Sequence, residues 1–210
     1  MSDSSPADTK TATQPQAKTW LRPSDVEQLR DACLSSEVPT YLQDRNEALI
    51  ALLYDTGLRR EEASLLDVDY LDLEEGVLRL PSEIQKGANP PAATLKLGKF
   101  GADSTRTLKR YLRDRWKDSD ALFPSRQSDR LSPRAITRTV KQLAEIGDVR
   151  PLVVDGGRGD PTETTPHTLR HSVAYRVIRE EGGRLEDVQL RLRHQNLETT
   201  DRVYSHLRTR

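Results

Sequence analysis

The chain has very little cysteine, few aromatic residues and no long apolar run. Cys33 is its single cysteine among 210 residues, which excludes an internal disulfide framework and any zinc site built from several cysteines. No apolar run approaches the length that spans a membrane, and the N-terminus lacks the basic-then-apolar pattern of a secretory signal. Apolar residues make up 34% and charged residues 31%, so we expect an economical core, a cytoplasmic location and no membrane partner.

The formal net charge of zero hides an asymmetry along the chain. Residues 1–100 contain 11 Lys and Arg against 17 Asp and Glu, whereas residues 101–210 contain 22 against 16. An acidic first half and a basic second half suit a protein that offers one face to a polyanion. Solvated helix faces explain the same numbers, and charge alone favours that simpler explanation.

The first nineteen residues differ in composition from the rest. Residues 1–19 are rich in Ser, Thr, Pro, Ala and Gln without apolar periodicity, which predicts a disordered tail. Order is expected to begin at Trp20. Ser24 and Glu27 have the spacing of an N-terminal capping box, which predicts a helix to about residue 34.

Beyond that point the apolar pattern favours helices with one interruption. Helical periodicity and end signals predict further helices over residues 41–55, 59–66, 103–117, 132–146, 165–181, 185–192 and 199–207. Three runs alternate or are β-rich and predict strands over residues 68–73, 76–80 and 92–97. A Gly-, Asp- and Pro-rich loop is expected over residues 147–164. The predicted fold class is α+β, mostly α-helical with a small antiparallel β-sheet, in one domain over residues 20–210.

Two arginines, three histidines and a late tyrosine fall in a recognisable order. The sequence TGLR ends at Arg59, HTLRH runs over residues 167–171, LRH ends at His194, and Tyr204 lies ten residues further on. Each motif is weak alone, but three in this order at domain-scale separations are a strong signal. Such a set can grip a phosphodiester with cations and attack it with a phenol.

These motifs resemble those of the catalytic domain of tyrosine recombinases, the lambda-integrase and Xer-like site-specific enzymes. The resemblance covers about residues 20–207 and implies the catalytic core of a DNA breaking-rejoining enzyme that needs no metal or cofactor. The family places a glutamate three residues after the first arginine, which Glu62 matches. It also places a glycine where this chain has Arg193.

The resemblance gives the two arginines one task. Arg59 and Arg170 are expected to hold the non-bridging oxygens of the scissile phosphate, because guanidinium groups form bidentate, charge-assisted bonds to phosphoryl oxygens. They also neutralise charge that builds in the transition state. Glu62 is expected to support Arg59 from behind. Taken alone, Arg59 would be interpreted as a surface arginine at a helix end.

The histidines are expected to act around the same phosphate. His167 and His171 are four residues apart and share a helix face. The resemblance implies that His167 is the general base or orients the phosphate, that His171 supports it, and that His194 donates to a non-bridging oxygen. A zinc pair is the alternative for the first two, disfavoured because no Glu follows the first histidine and Arg170 would place a cation beside the metal. An exposed helix-end residue is the alternative for His194.

Tyr204 is the nucleophile that the resemblance implies. Attack by its phenol would give a 3′-phosphotyrosine and a free 5′-hydroxyl, which conserves the bond energy for rejoining. The alternative is a packing residue beside Leu207. The general acid on the leaving oxygen is expected to be Lys86, with Lys96 and Lys99 as nearby alternatives, although loop lysines more often contact backbone phosphates.

The family usually carries a separate helical core-binding domain ahead of the catalytic one, whereas only residues 1–19 precede Trp20 here. We therefore expect a catalytic domain without that clamp, with weak and salt-dependent DNA binding. The main hypothesis is a site-specific DNA recombinase or integrase that acts on double-stranded DNA and self-associates on it as a dimer or tetramer. The alternatives are a non-catalytic or regulatory DNA-binding remnant of an integrase, and a type IB topoisomerase-like enzyme that shares the chemistry.

Overall fold

The computed structural model describes residues 19–87, 89–99 and 103–207. The α-helices are α1 (Pro23–Ala32), α2 (Thr40–Thr56), α3 (Arg60–Ser64), α4 (Thr105–Asp114), α5 (Pro133–Ile146), α6 (Pro166–Tyr175), α7 (Leu185–Leu192) and α8 (Leu197–Tyr204). The strands are β1 (Thr19–Trp20), β2 (Leu71–Asp72), β3 (Val77–Leu80), β4 (Ala93–Lys96) and β5 (Leu152–Val153). The tail predicted over residues 1–19 lies outside the described residues apart from Thr19, which begins β1.

The predicted α+β class is confirmed, with all eight described α-helices close to their predicted positions. Strands β2, β3 and β4 form the predicted antiparallel sheet, in which Val77 pairs with Lys96 and Leu80 with Ala93. A second sheet was not predicted. It pairs β1 with β5 inside the stretch expected to be a loop, with Trp20 opposite Leu152. None of the helices in the described part of the chain is long and apolar enough to span a bilayer.

The predicted start of α1 is wrong. Its N-terminal cap is Arg22, and Pro23 is the first helical residue, a position where proline fits because no backbone donor is needed there. The Asp25 carboxylate accepts from the Arg22 amide at 2.8 Å. Ser24 and Glu27 therefore lie inside the helix and do not form the predicted capping box.

Other elements differ from their predictions in local geometry. The run predicted as a strand over residues 68–73 is a 3₁₀ helix at Val68–Tyr70 followed by the short strand β2. The helix predicted over residues 165–181 changes at Tyr175, where α6 gives way to one π-helical stretch at Arg176–Glu180.

Two apolar clusters form the interior. The larger one packs α1, α2, α4 and α5 against the three-stranded sheet. The second joins the end of α6 to α7 and α8, with buried members Val173, Ala174, Val177, Leu185, Val188, Leu192, Tyr204 and Leu207.

The C-terminal end of α2 is held by four arginines, which we call the arginine cap. The carbonyls of residues 54–57 accept hydrogen bonds from the guanidinium groups of Arg176, Arg191, Arg193 and Arg170. The last carbonyls of a helix lack intrahelical partners and carry partial negative charge, so cationic donors satisfy both requirements. The cap fixes the chain just before Arg59 against the helices that carry the other motif residues.

Candidate active site

The turn between α2 and α3 is built on Gly57. Its backbone is left-handed, with φ of 64°, and a Cβ added there would lie 2.4 Å from the Leu192 Cδ2 atom. Glycine is therefore required both for the backbone conformation and for the close approach of α7. The turn places Arg59 at the N-terminal cap of α3.

Arg59 is held by Glu62, whose carboxylate is fully buried. Glu62 accepts from the Arg59 amide at 2.8 Å, from the Arg59 Nη1 at 2.8 Å and from the Arg193 Nη2 at 2.7 Å. Burial by itself raises the pKa of Glu62, but Arg193, the Arg59 amide and the surrounding guanidiniums outweigh it and hold this pKa below its ordinary value. The carboxylate is therefore ionised at neutral pH, and the Arg59 side chain remains 26% exposed.

Arg170 comes to the same place from α6. Its guanidinium donates to the carbonyl oxygens of Gly57 and Leu192, and the residue is 3% exposed. Burial and the positive charges of Arg59 and Arg193 lower the pKa of Arg170 to about 9, which still leaves it protonated at neutral pH.

Four rings form a continuous row behind the two arginines. His167 and His171 have ring centroids 4.1 Å apart, His171 and Tyr204 are 5.6 Å apart, and Tyr204 and His194 stack in near-parallel planes at 6.0 Å. We call His167, His171, Tyr204 and His194 the ring row. Contacts of this kind stabilise aromatic pairs beyond simple burial.

The histidines of the ring row are held in their neutral forms. Burial and the neighbouring His167 ring lower the pKa of His171 to about 3, and burial with Arg170 and Arg59 lowers that of His194 to about 3. Burial and the same two arginines also lower the pKa of His167 below its usual value. His171 directs Nδ1 at the Thr19 carbonyl at 3.2 Å, so this nitrogen carries the proton.

Tyr204 lies in the second apolar cluster and is 1% exposed. Burial raises the pKa of its phenol to about 12, and Arg170 and Arg59 offset this only in part. The packing role considered from sequence is thus real, since Leu207 belongs to the same cluster. Contact with both histidine rings also places the phenol in the row that leads to His167.

Two cavities meet at Arg59 and Lys86. One of about 540 Å³ is lined by residues that include Arg59, Lys86, His167 and Arg170. The other, of about 380 Å³, also borders His194. Lys86 is exposed on the loop between β3 and β4.

The two alternative lysines lie elsewhere. Neither Lys96 nor Lys99 lines either of these cavities. Lys96 is on β4, and its carbonyl accepts from Arg191 at 2.7 Å.

The structure thus brings four predicted site residues to one cavity and places the other four next to them. Arg59, Arg170, His167 and Lys86 share a cavity, Glu62 lies beneath Arg59, and His171, His194 and Tyr204 complete the ring row. Within the described ranges, no group of three or more His, Cys, Asp or Glu side chains is arranged to hold a metal ion.

Comparison with known proteins identifies the family of the chain. The model of the phage integrase family matches residues 19–210. The chain belongs to the phage integrase family.

Curated relatives of this integrase-family chain include tyrosine recombinases. It is 30% identical over 194 residues to tyrosine recombinase XerD of Pseudomonas putida, covering 89% of this chain and 57% of that protein. It is 34% identical over 168 residues to tyrosine recombinase XerC of the same organism, covering 80% and 50%. The chain spans about half the length of the curated relatives it matches.

Solved structures have the same fold. The XerA recombinase matches with a TM-score of 0.68 and 22% identity, over 98% of this chain and 62% of that one. The XerH recombinase bound to its difH substrate matches with a TM-score of 0.67 and 24% identity, over 90% and 50%.

Sequence reasoning on this integrase-family chain missed several residues around the site. Arg193 stands out in the sequence only as a departure from glycine, yet it pairs with Glu62. Thr200 is fully buried and its hydroxyl lies 2.8 Å from the His194 Nδ1. Thr19 lies in the predicted tail, yet its carbonyl accepts from the His171 Nδ1. The signal for Thr200 in the sequence is its place four residues before Tyr204, in a Thr-x-x-x-Tyr pattern that resembles that of tyrosine recombinases.

Proposed function

We propose that this chain is the catalytic part of a site-specific DNA recombinase, which cleaves and rejoins double-stranded DNA through a 3′-phosphotyrosine. The observation that carries the proposal is that Arg59, Arg170, His167 and Lys86 line one cavity. Tyr204 is connected to His167 through the ring of His171. A cytoplasmic location and action without a metal or cofactor are parts of the same proposal.

The arginines bind the scissile phosphate. The partly exposed guanidinium of Arg59 and the buried one of Arg170 border the same space and suit the two non-bridging oxygens. Their charges offset the second negative charge that the phosphate gains in the transition state. His194 holds its Nδ1 near the Thr200 hydroxyl, which leaves Nε2 as a donor to the phosphate.

The histidine and the lysine move the protons. The Tyr204 oxygen attacks phosphorus and its proton passes to a neutral imidazole, for which His167 is suited because its lowered pKa keeps it unprotonated at neutral pH. The bond from phosphorus to the 5′-oxygen breaks, and Lys86 supplies the proton that this oxygen takes up. Rejoining runs the same steps in reverse.

The packing of Tyr204 adds one requirement. The phenol lines neither of the two cavities at Arg59. DNA binding must therefore bring α8 and its phenol into line with the phosphate. Such a shift would keep the nucleophile out of reach until a substrate is bound.

Helix α5 offers a surface for the duplex. Arg134, Arg138 and Lys141 recur at helical spacing on α5 and form no ion pair or hydrogen bond within the described part of the chain. Thr137 of the same helix borders the 540 Å³ cavity. A row of unpaired cations beside a phosphate site suits backbone contacts along DNA. Assembly into a dimer or tetramer on DNA completes the proposal.

A suicide-substrate assay tests the chemistry. Nicked duplexes drawn from the DNA that flanks the gene are incubated with the protein without metal and separated on a denaturing gel. We expect a slower, covalent protein–DNA band, because a nick lets the released strand diffuse away before rejoining. Tyr204→Phe should abolish the band and leave DNA binding intact.

Tyr41→Phe is the matched control, because Tyr41 is an exposed tyrosine on α2 and should trap DNA like the parent. A band that persists in Tyr204→Phe contradicts the assignment of the nucleophile. A parent that shifts intact DNA in a salt-sensitive manner but never forms a band supports the non-catalytic DNA-binding alternative, for which the burial of Tyr204 is the favouring observation.

A further inference from the structure

Arg193 occupies a backbone conformation that suits glycine. It is the residue at which α7 ends, with φ of 55° and ψ of 47° in the left-handed region. Glycine adopts this conformation without strain, whereas an arginine must bring its Cβ close to the following carbonyl. The tyrosine recombinase pattern that this sequence resembles also has glycine at this position. The strain implies that the Arg193 side chain does something that a hydrogen atom cannot.

The side chain is buried and its contacts are specific. It is 9% exposed, and its Nη2 donates to the Glu62 Oε2 at 2.7 Å. Its Nη1 donates to the carbonyls of Thr56 and Arg191 at 3.5 and 3.2 Å. The guanidinium therefore joins the end of α7 to the carboxylate beneath Arg59 and to the end of α2.

Both carboxylate oxygens of Glu62 accept hydrogen bonds. Oε2 accepts from the Arg59 amide and from Arg193, and Oε1 accepts from the Arg59 guanidinium. Without Arg193, one carboxylate would face one guanidinium, and their charges would cancel. With Arg193 the three side chains keep one net positive charge at the point where a phosphate is expected.

We propose that Arg193 is a positioning residue that acts through Glu62. It balances the charge of the carboxylate, so that Glu62 fixes the Arg59 guanidinium in place without neutralising its attraction for the scissile phosphate. Arg193 does not line the 540 Å³ cavity that Arg59 and Arg170 share, and its guanidinium donates to Glu62. The inference rests on the proposed recombinase function and deepens it.

The surroundings of Glu62 give the proposal a signature in pH. The charged groups that face this carboxylate are Arg59 at the start of α3, Arg170 on α6 and Arg193 at the end of α7, and Arg193 is the strongest of those that lower the Glu62 pKa. Loss of Arg193 should raise the Glu62 pKa, so the carboxylate becomes protonated at a higher pH. Cleavage should then fall off at a higher pH on the acid side.

The test compares Arg193→Gly, Arg193→Lys and the parent in single-turnover cleavage of the nicked duplex. We expect Arg193→Gly to cleave roughly ten- to a hundredfold more slowly, as for a misplaced catalytic group, with little change in DNA affinity and with its acid limb at higher pH. Arg193→Lys should recover part of the rate because it restores the charge without the fork.

Asp148→Gly is the matched control for the backbone. Asp148 is exposed, is also left-handed with φ of 45° and lies beyond the end of α5, outside the site. Asp148→Gly should relieve backbone strain and change the free energy of unfolding in the same direction as relief of strain in Arg193→Gly does. It should leave the cleavage rate unchanged. The double variant Glu62→Gln with Arg193→Gly should cleave no more slowly than Glu62→Gln alone, because Arg193 acts through Glu62.

A second readout does not depend on cleavage. Carbon NMR of the side-chain carboxyls, assigned with Glu62→Gln, follows the titration of Glu62 in the parent and in Arg193→Gln. A higher Glu62 pKa in the variant supports the inference even if the parent traps no DNA, a result that would overturn only the proposed function. An unchanged titration, or an Arg193→Gly enzyme with parental rate and acid limb, overturns the inference.

Discussion

At the scale of single residues, the site depends on histidines that stay neutral. His171 is 6% exposed between two other rings, and its Nδ1 proton is committed to the Thr19 carbonyl. Protonation would place a buried cation near the positive charge of Arg170. A neutral His171 imidazole packs against the His167 ring without adding charge to the site.

This neutrality makes stability depend on pH. The pKa of His171 is about 3 in the folded protein, against about 6.5 in an unfolded chain, so only the unfolded chain takes up the proton between these values. Stability should therefore fall as the pH drops from about 6.5 towards 3, by up to about 1.4 kcal/mol per pH unit for this one group. His171→Asn should reduce that slope in urea unfolding measured across this range. An identical slope in the variant contradicts the assignment of a neutral, buried imidazole.

At the scale of elements, the arginine cap joins α2 to α6 and α7. The turn after α2 is the tightest point of this junction, because Gly57 combines a left-handed backbone with direct contact to Leu192. A side chain there would push α7 away from α2. Residues 191–194 include Arg191 and Arg193 of the arginine cap and His194 of the ring row, so the fold and the site share this contact.

Gly57→Ala should destabilise the protein and slow cleavage. Strain at φ of 64° and the approach of Cβ to Leu192 act together, and overpacking of this kind costs about 1–3 kcal/mol. Gly76→Ala is the control, since Gly76 has φ of 63° but open space around it. The difference in unfolding free energy between the two variants, measured by denaturant titration, isolates the clash. Equal losses of unfolding free energy in the two variants would mean that α7 moves away from the added methyl group without cost.

Local sequence patterns predict the helices of this protein but not the contacts between segments that are far apart in the chain. Helical periodicity together with end signals located the described α-helices, and a longer one such as α5 has an apolar face that repeats. The pairing of Thr19–Trp20 with Leu152–Val153 joins two-residue strands far apart in the chain, and no local pattern marks it. The same limit applies to Arg193. Its partner Glu62 lies 131 positions away, so the sequence could mark the residue as unusual but could not say what it holds.

At the scale of the whole molecule, net charge is a poor guide to the surface. Formal charges sum to zero, yet Arg134, Arg138 and Lys141 on α5 have no partner within the described residues. Many of the other cations are internal, as in the arginine cap, or paired on the surface, as with Arg113 and Asp114. What matters for a polyanion is which cations remain unpaired and where they lie.

The unpaired cations of α5 predict a salt effect. Replacement of all three by alanine should weaken DNA binding and reduce the dependence of log K on log salt by up to about 3, since each phosphate contact contributes about 0.9. Fluorescence anisotropy across a range of salt concentrations measures this slope. Arg106→Ala on α4 is the matched control, because Arg106 is exposed and unpaired among the described residues but borders a different cavity. A slope that drops equally in the control would place the duplex elsewhere.

The arginine cap also changes how the composition of this chain is interpreted. Arginine outnumbers lysine by 25 to 8, a bias that genome composition alone can produce. At the end of α2, however, a planar guanidinium with several N–H donors bridges neighbouring carbonyls. The ammonium group of lysine cannot reproduce this geometry. Exchange of arginine for lysine, commonly scored as mild in protein engineering, should therefore be tolerated at exposed positions such as Arg134 and Arg138 on α5 and destabilising at residues 170, 176 and 191.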